Sequence, residues 1–238
     1  KDKIIYLVIE NEPNGIIYDK SELTNQSIKR QNSLKRINQS YECMLKGIEG
    51  ASADDLIILS DNDEIPNLDS SEFKKSKKNL FLFRQLFFYY KFNLLYDLMP
   101  WFGSKACKKK KLKSFPWLRN IKNKKYPFWR LDTIFSNKKY TGIHFVDDGG
   151  WHFTNIKSPE NIEKKLKSFV HYKDFESSGL NINDLKKLIS EKRVMYNHKI
   201  DKKENKWQAG EKLQTLKIEE MPKYVIDNFQ NYKPWLDG

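Results

Sequence analysis

The stretch Asp54-Asp55-Leu56-Ile57-Ile58-Leu59-Ser60-Asp61-Asn62-Asp63-Glu64-Ile65-Pro66 decides the fold, because a short apolar run leads directly into a group of acids. Residues 56–59 are all apolar, which predicts a strand that is covered on both faces. Pro66 then prevents a regular continuation.

The acids that follow this strand indicate a metal site. Carboxylates at positions i and i+2 of a turn can both reach one divalent ion, and hard oxygen ligands suit Mg²⁺ or Mn²⁺. Three crowded acids also repel one another unless a cation or hydrogen-bond donors relieve them. We therefore predict a metal site at Asp61 and Asp63, against the alternative of a solvated turn or a helix cap.

Length and composition predict a single folded domain over residues 1–238. The chain is 39% hydrophobic and 14% aromatic, which excludes global disorder. Its two cysteines exclude a disulfide framework, and the default is free thiols in a reducing compartment. No apolar run approaches the roughly 20 residues of a membrane span, and the first residues lack a signal-peptide pattern. These features predict a cytoplasmic location. The chain begins as a strand entered in mid-fold, so we expect an earlier strand ahead of Lys1.

The net charge of +13 raises the question of an anionic partner. The lysines are spread along nearly the whole chain, and the one dense run, at 108–111, predicts an exposed loop. This distribution is typical of a composition bias, so we expect no nucleic-acid partner. Peripheral contact with an anionic membrane surface, or with a phosphorylated substrate, is favoured over nucleic acid.

The apolar periodicity predicts an α/β protein. The predicted elements are a strand at 4–9, a helix at 27–48, a strand at 55–59, a short helix through 77, one or two strands within 80–93, a strand at 140–146, helices starting at 158 and spanning 182–195, a strand at 213–218 and a helix at 222–229. Because a helix joins the strands at 4–9 and 55–59, these two are expected to pair in parallel. Residues 100–130 are predicted to be irregular.

A second polar turn, Asp147-Asp148-Gly149-Gly150-Trp151-His152-Phe153, follows the predicted strand at 140–146. Its histidine is a candidate metal or phosphate contact, with a purely structural role as the alternative. Tyr90 and Asn93 carry polar tips that are expected to face a sugar. Trp101 lies in a loop region, where it would either stack on a sugar ring or hold the loop to the core.

These landmarks resemble glycosyltransferase family 17, the group that includes β-1,4-mannosyl-glycoprotein β-1,4-N-acetylglucosaminyltransferases. The resemblance rests on Ser60-Asp61-Asn62-Asp63-Glu64-Ile65-Pro66 and on Gly150-Trp151-His152-Phe153 followed by Ser158-Pro159-Glu160. Weaker similarity lies at Arg36-Ile37-Asn38-Gln39 and at Trp101-Phe102-Gly103-Ser104, and the whole covers about residues 4–171. The family carries further sequence ahead of Lys1, and the lysine run at 108–111 departs from its pattern.

The resemblance implies a GT-A type α/β/α sandwich with a mostly parallel central sheet, here lacking its first strand. It also implies an inverting enzyme that moves N-acetylglucosamine or a related hexose from a UDP-sugar to a saccharide acceptor, such as a glycan, a lipopolysaccharide or a lipid-linked sugar. Asp61 and Asp63 would hold Mn²⁺ or Mg²⁺ against the donor diphosphate, with His152 as a further metal or diphosphate contact.

Inversion requires a carboxylate that takes the proton of the acceptor hydroxyl. Asp148 is the candidate base, and Glu64 and Asp147 are rivals, although Glu64 would alternatively orient the metal shell. The candidate donor contacts are Asp61, Asp63, Arg36, Arg84 and Lys105, and the candidate acceptor contacts are Tyr90, Asn93, Trp101 and Trp151.

Two other functions stay open at this point. A non-catalytic protein that binds sugar nucleotides or carbohydrate would use the same residues without transfer. A basic nucleic-acid-binding module would instead show steeply salt-dependent affinity for arbitrary duplexes.

Overall fold

The computed structural model describes residues 3–18, 26–168, 175–176, 178–195, 198 and 210–238. The protein is mixed α/β, with sheets of four and five strands. The helices are α1 (Gln26–Lys46), α2 (Ser71–Lys75), α3 (Phe115–Asn120), α4 (Pro159–Ser168), α5 (Ile182–Ser190), α6 (Lys223–Asp227) and α7 (Phe229–Tyr232). The strands are β1 (Leu56–Leu59), β2 (Glu64–Pro66), β3 (Leu80–Phe83), β4 (Leu86–Tyr89), β5 (Leu94–Leu95), β6 (Lys105–Lys108), β7 (His144–Val146), β8 (Gly150–Thr154) and β9 (Gln214–Thr215).

The chain divides into two compact units. The first comprises Lys1–Leu59, Lys78–Phe81 and Lys105–His144. In it β1 pairs antiparallel with β6, so that Leu56 lies opposite Lys108. Helix α3 begins where the hydroxyl of Ser114 accepts a hydrogen bond from the Trp117 amide at 3.1 Å, the usual role of a serine N-cap.

The second unit comprises Ser60–Lys77, Leu82–Ser104 and Phe145–Gly238. Its five-stranded sheet has the order β2-β8-β4-β5-β9. Successive residues of β4 point to opposite faces, so Phe87 packs in a cluster with residues of α4 and α5, whereas Phe88 packs with Met221 and with Val225 of α6. Helices therefore cover both faces of this sheet, and its central strand is apolar throughout.

The strand pairing differs from the predicted, mostly parallel sheet. The described ladders of β1 with β6, β2 with β8, β4 with β5 and β5 with β9 are antiparallel, and that of β4 with β8 is parallel. The four-stranded sheet has the order β1-β6-β3-β7. The predicted strand at 4–9 is wrong, because its backbone joins no ladder of the described residues and its apolar side chains are exposed.

Most elements with a strong apolar pattern are confirmed. The long helix after residue 26, the strand before the acid turn and the two aromatic strands all form at the predicted places. The helix predicted at 182–195 is shorter, because it ends at Ser190 and Lys192 takes a positive φ of 53°. Within the described ranges, no helix has both the length and the apolar character that a membrane crossing requires.

Candidate functional site

The acid turn is a tight connection between β1 and β2. The Glu64 amide donates a hydrogen bond to the Asp61 carbonyl at 3.1 Å, and the Asp61 amide donates to Oε2 of Glu64 at 3.0 Å. These two bonds close the turn from both ends. The side chains of Asp61 and Asp63 stay partly exposed, with Asp63 about one-third accessible.

Glu64 lies beneath this turn in a buried polar network. Its side chain accepts a hydrogen bond from Nε1 of Trp101 at 2.7 Å and lies 3.5 Å from the hydroxyl of Ser104. That hydroxyl also accepts from Nε2 of Gln85 at 3.0 Å and lies 2.7 Å from the Ser60 hydroxyl. Donors from Asp61, Trp101 and Ser104 hold this carboxylate in one orientation. Glu64 therefore positions the acid turn, which favours the orienting role over that of a base.

The second polar motif is not a turn throughout, because Gly150–Thr154 forms strand β8 beside the acid turn. Strand β8 pairs antiparallel with β2, so that His152 lies opposite Glu64. The Phe153 amide donates a hydrogen bond to the Asp63 carbonyl at 2.8 Å. The two motifs that are distant in sequence therefore lie side by side.

His152 is buried against aromatic rings. Its imidazole stacks on Trp101, with ring centroids 4.4 Å apart and planes within 10°, and it also contacts Phe87 at 4.9 Å. Burial lowers the pKa of His152 to about 4, although the Asp61 carboxylate and a hydrogen bond with the Asp63 backbone oppose this shift. The imidazole is therefore neutral at pH 7, the form in which histidine binds metals or accepts a hydrogen bond.

The exposed side of this cluster combines carboxylates with a lysine. Oδ1 of Asp63 lies 3.7 Å from Nδ1 of His152. Lys165 of α4 donates from Nζ to Oδ1 of Asn155 at 3.0 Å, and burial lowers its pKa while the charge of Asp63 raises it. Lys165 was not predicted as a site residue, since nothing in its spacing from the acid turn reveals this proximity.

The side chains at this site suit a metal ion that is held in part by a bound ligand. In the part of the chain that the structure describes, no three His, Cys, Asp or Glu side chains converge closely enough to hold a metal ion. Mg²⁺ is commonly bound through one or two carboxylates together with substrate phosphates and water. Asp61 and Asp63 fit that pattern, with the neutral imidazole of His152 beside them.

The other predicted acids lie on the turn between β7 and β8. Asp148 is exposed, and its Oδ2 accepts a hydrogen bond from Nδ2 of Asn67 at 2.8 Å. Oδ1 of Asp147 lies 3.6 Å from a guanidinium nitrogen of Arg84, and both side chains are more than half exposed. These acids and Arg84 are therefore accessible to a ligand, unlike Glu64.

Two predicted donor contacts belong to the first unit and have structural partners there. Lys105 is buried, and its Nζ donates to the main-chain carbonyls of Arg119 and Ile121 at 2.5 and 2.8 Å. These carbonyls lie at the end of α3, where a cation is favourable. Arg36 pairs with Glu12 at 2.8 Å. We therefore correct the interpretation of Lys105 and assign it the role of holding the end of α3.

Two of the four predicted acceptor contacts are buried. Tyr90 is 2% exposed, and Asn93 uses its side chain to bond the backbone of Leu216 and Asp237. The expectation that both polar tips face a sugar is wrong, because Tyr90 and Asn93 lie in the connection between β4 and β5, where both side chains are buried. Trp101 and Trp151 remain partly exposed, and Nε1 of Trp151 donates to the Glu220 carbonyl at 3.3 Å.

The polar network under the acid turn predicts a measurable effect of Glu64→Gln. The new amide would place an N–H group against the N–H of either Asp61 or Trp101. We expect the free energy of unfolding to fall by about 1–3 kcal/mol, the range for a buried polar group left without its partner. Denaturant unfolding would measure this, with Glu42→Gln on the exposed face of α1 as the control that changes stability little. Equal stability of both variants would contradict the network.

Comparison with protein-family models, with curated proteins and with solved structures found no match to this chain.

Proposed function

We propose that this protein is an inverting, metal-dependent glycosyltransferase that uses a UDP-sugar donor, as its resemblance to glycosyltransferase family 17 implies. One observation carries the proposal. The two motifs of that resemblance are far apart in sequence, yet Oδ1 of Asp63 lies 3.7 Å from Nδ1 of His152. Their proximity is what a site built from both motifs requires.

The roles follow from exposure and charge. Asp61 and Asp63 would hold Mn²⁺ or Mg²⁺ together with the diphosphate of the donor. A bound metal supplies the positive charge that offsets the growing charge of the leaving phosphate. The half-buried ammonium of Lys165 interacts electrostatically with Asp63 and would contribute to binding the diphosphate. Neutral His152 completes this group without adding charge.

The acceptor side uses the turn before β8. A single in-line displacement inverts the anomeric carbon, and a carboxylate must accept the proton of the attacking hydroxyl. Asp148 is exposed and accepts a hydrogen bond from the neutral amide of Asn67, so it is accessible for this role, with Asp147 as its rival. The partly exposed rings of Trp101 and Trp151 would stack on a sugar.

The proposal includes a GT-A type sandwich and a cytoplasmic protein that acts on a saccharide acceptor. The sandwich is supported by the sheet of the second unit, because apolar clusters that include helix residues pack on both of its faces. The sheets are mixed, so the proposed sandwich is not mostly parallel.

Titration calorimetry with UDP-N-acetylglucosamine and Mn²⁺, followed by an assay of UDP release, tests this function. We expect binding that depends on Mn²⁺ and slow release of UDP without acceptor. Binding without release, also in the presence of saccharide acceptors, would favour the non-catalytic sugar-nucleotide-binding protein. Absence of both binding and release would overturn the proposal.

A further inference from the structure

A closed loop in the first unit presents apolar side chains to solvent. The Lys122 amide donates a hydrogen bond to the Lys138 carbonyl at 2.7 Å, and this bond ties the two ends of the segment together. We call residues 122–138 the 122–138 loop. Inside it, Leu131–Thr133 forms a single 3₁₀ turn, and the Arg130 amide bonds the Pro127 carbonyl at 3.2 Å. The loop therefore has a defined backbone.

Five large apolar side chains of this loop are almost fully exposed. They are Phe128 at 86%, Trp129 at 70%, Leu131 at 72%, Ile134 at 71% and Phe135 at 88%. Phe128 and Trp129 contact each other edge to face at 5.0 Å. Scattered single apolar side chains are normal on a protein surface, but five within eight consecutive residues form a patch that indicates an interaction site.

The residues around this patch are mostly basic. Residues 122–139 contain six lysines and arginines and one acid, Asp132. Asp132 is bound by Arg130 at 2.6 Å and by Lys139 at 2.7 Å, so its charge is locally compensated. Lys122, Lys124 and Lys138 are exposed beside the apolar side chains. The loop therefore presents a net positive charge together with an apolar tip.

We propose that the 122–138 loop docks this protein onto a bilayer surface that contains anionic lipids. The aromatic and aliphatic side chains would enter the interface between headgroups and acyl chains, and the lysines would contact the headgroup phosphates. Charge complementarity favours an anionic surface over a neutral one. The proposal holds whether or not the protein transfers sugars, because it uses none of the residues of the candidate site.

The aliphatic members of the patch favour a membrane over a nucleic acid. Aromatic rings and cations together also suit single-stranded nucleic acid, because bases stack on aromatic rings. Leu131 and Ile134 offer no ring for stacking, but they gain free energy when they leave water for a lipid phase. The full set of five side chains is therefore better explained by a bilayer.

Sedimentation with vesicles tests the proposal. The wild-type chain is expected to bind vesicles that contain phosphatidylglycerol, to bind pure phosphatidylcholine much more weakly, and to dissociate at high salt. Trp129→Ser with Phe135→Ser should weaken binding at least tenfold, and Lys124→Ser with Lys125→Ser should weaken it about fivefold per lysine. The control is Tyr224→Ser, which removes a similarly exposed ring elsewhere and should leave binding unchanged.

A second measurement reports insertion directly. Lipids with brominated acyl chains should quench the tryptophan emission of the wild-type chain, and Trp129→Phe should remove that quenching while binding persists. Absence of binding to anionic vesicles would overturn the proposal, as would binding that the Trp129→Ser, Phe135→Ser variant leaves unchanged. Two other results would also overturn it: single-stranded RNA binding that this variant abolishes while vesicle binding persists, or a self-associated state in solution that the variant dissolves.

Discussion

Replacing Asp61 and Asp63 together by asparagine is expected to lower UDP release from a UDP-sugar at least a thousandfold while the chain stays folded. Asparagine keeps the size of each side chain but removes the two charges that would hold a divalent ion. Preorganised charge at a developing anion typically contributes a factor of about 10²–10³ for a single group. Loss of a metal removes several kcal/mol of such stabilisation. A thousandfold loss is therefore a lower bound for the pair.

The control for this experiment has the same change in charge. Asp69 and Asp97 are exposed acids of the same unit, and Asp69→Asn with Asp97→Asn should leave turnover within a factor of two. Thermal unfolding of both double variants would verify that each is folded. Turnover that survives in the Asp61→Asn, Asp63→Asn variant would refute the proposed role of these acids. A comparable loss in the control would show that the effect comes from net charge.

The sequence predicted several strands whose side chains are apolar along their whole length, but the equally apolar run at 4–9 joins no ladder of the described residues. Strand β1 and the aromatic strands β3 and β4 were found because a short, continuous apolar run is the usual pattern of a buried strand. Strand β6 was missed because its sequence, Lys105-Ala106-Cys107-Lys108, has a lysine at each end. The structure explains them, since Lys105 binds carbonyls at the end of α3 and Lys108 pairs with Asp54 at 3.0 Å. Such partners depend on tertiary contacts and leave no local pattern.

The candidate site was predictable only in part. The acid turn follows an apolar strand, and this local signal was sufficient to identify Asp61 and Asp63. Lys165 interacts with the charge of Asp63 because the fold brings Lys165 of α4 to Asn155, directly after β8, and neither element alone indicates this. The side chain of Asn93 was predicted to contact a sugar, whereas its amide donates a hydrogen bond to the Asp237 carbonyl. Asn93 lies in the turn between β4 and β5, and its partner at Asp237 is 144 positions away in the sequence, so no local pattern indicates this contact.

Gly150→Ala is expected to lower the free energy of unfolding by about 2–6 kcal/mol. Gly150 has a φ of +104°, and an added Cβ would lie 2.1 Å from the Ile65 carbonyl oxygen and 2.7 Å from the Asn67 nitrogen. A strained backbone conformation costs about 1–3 kcal/mol, and forced overpacking costs about the same again. Both neighbours are backbone atoms of the paired strand region, so no flexible side chain can move to relieve the contact. Denaturant unfolding at equilibrium measures the change.

Substitutions at two other glycines distinguish the cost of backbone strain from the cost of overpacking. Gly179 has a φ of +71°, and among the described residues no atom lies within 4 Å of an added Cβ, so Gly179→Ala should cost only the strain, about 1–2 kcal/mol. Gly142→Ala introduces neither backbone strain nor a close contact with a described atom, and it should change the free energy of unfolding by less than about 0.5 kcal/mol. If Gly150→Ala were no worse than Gly179→Ala, the close approach of β8 to β2 would be wrong. That approach sets His152 opposite Glu64, so the same result would also remove the geometric support for a site shared by the two motifs.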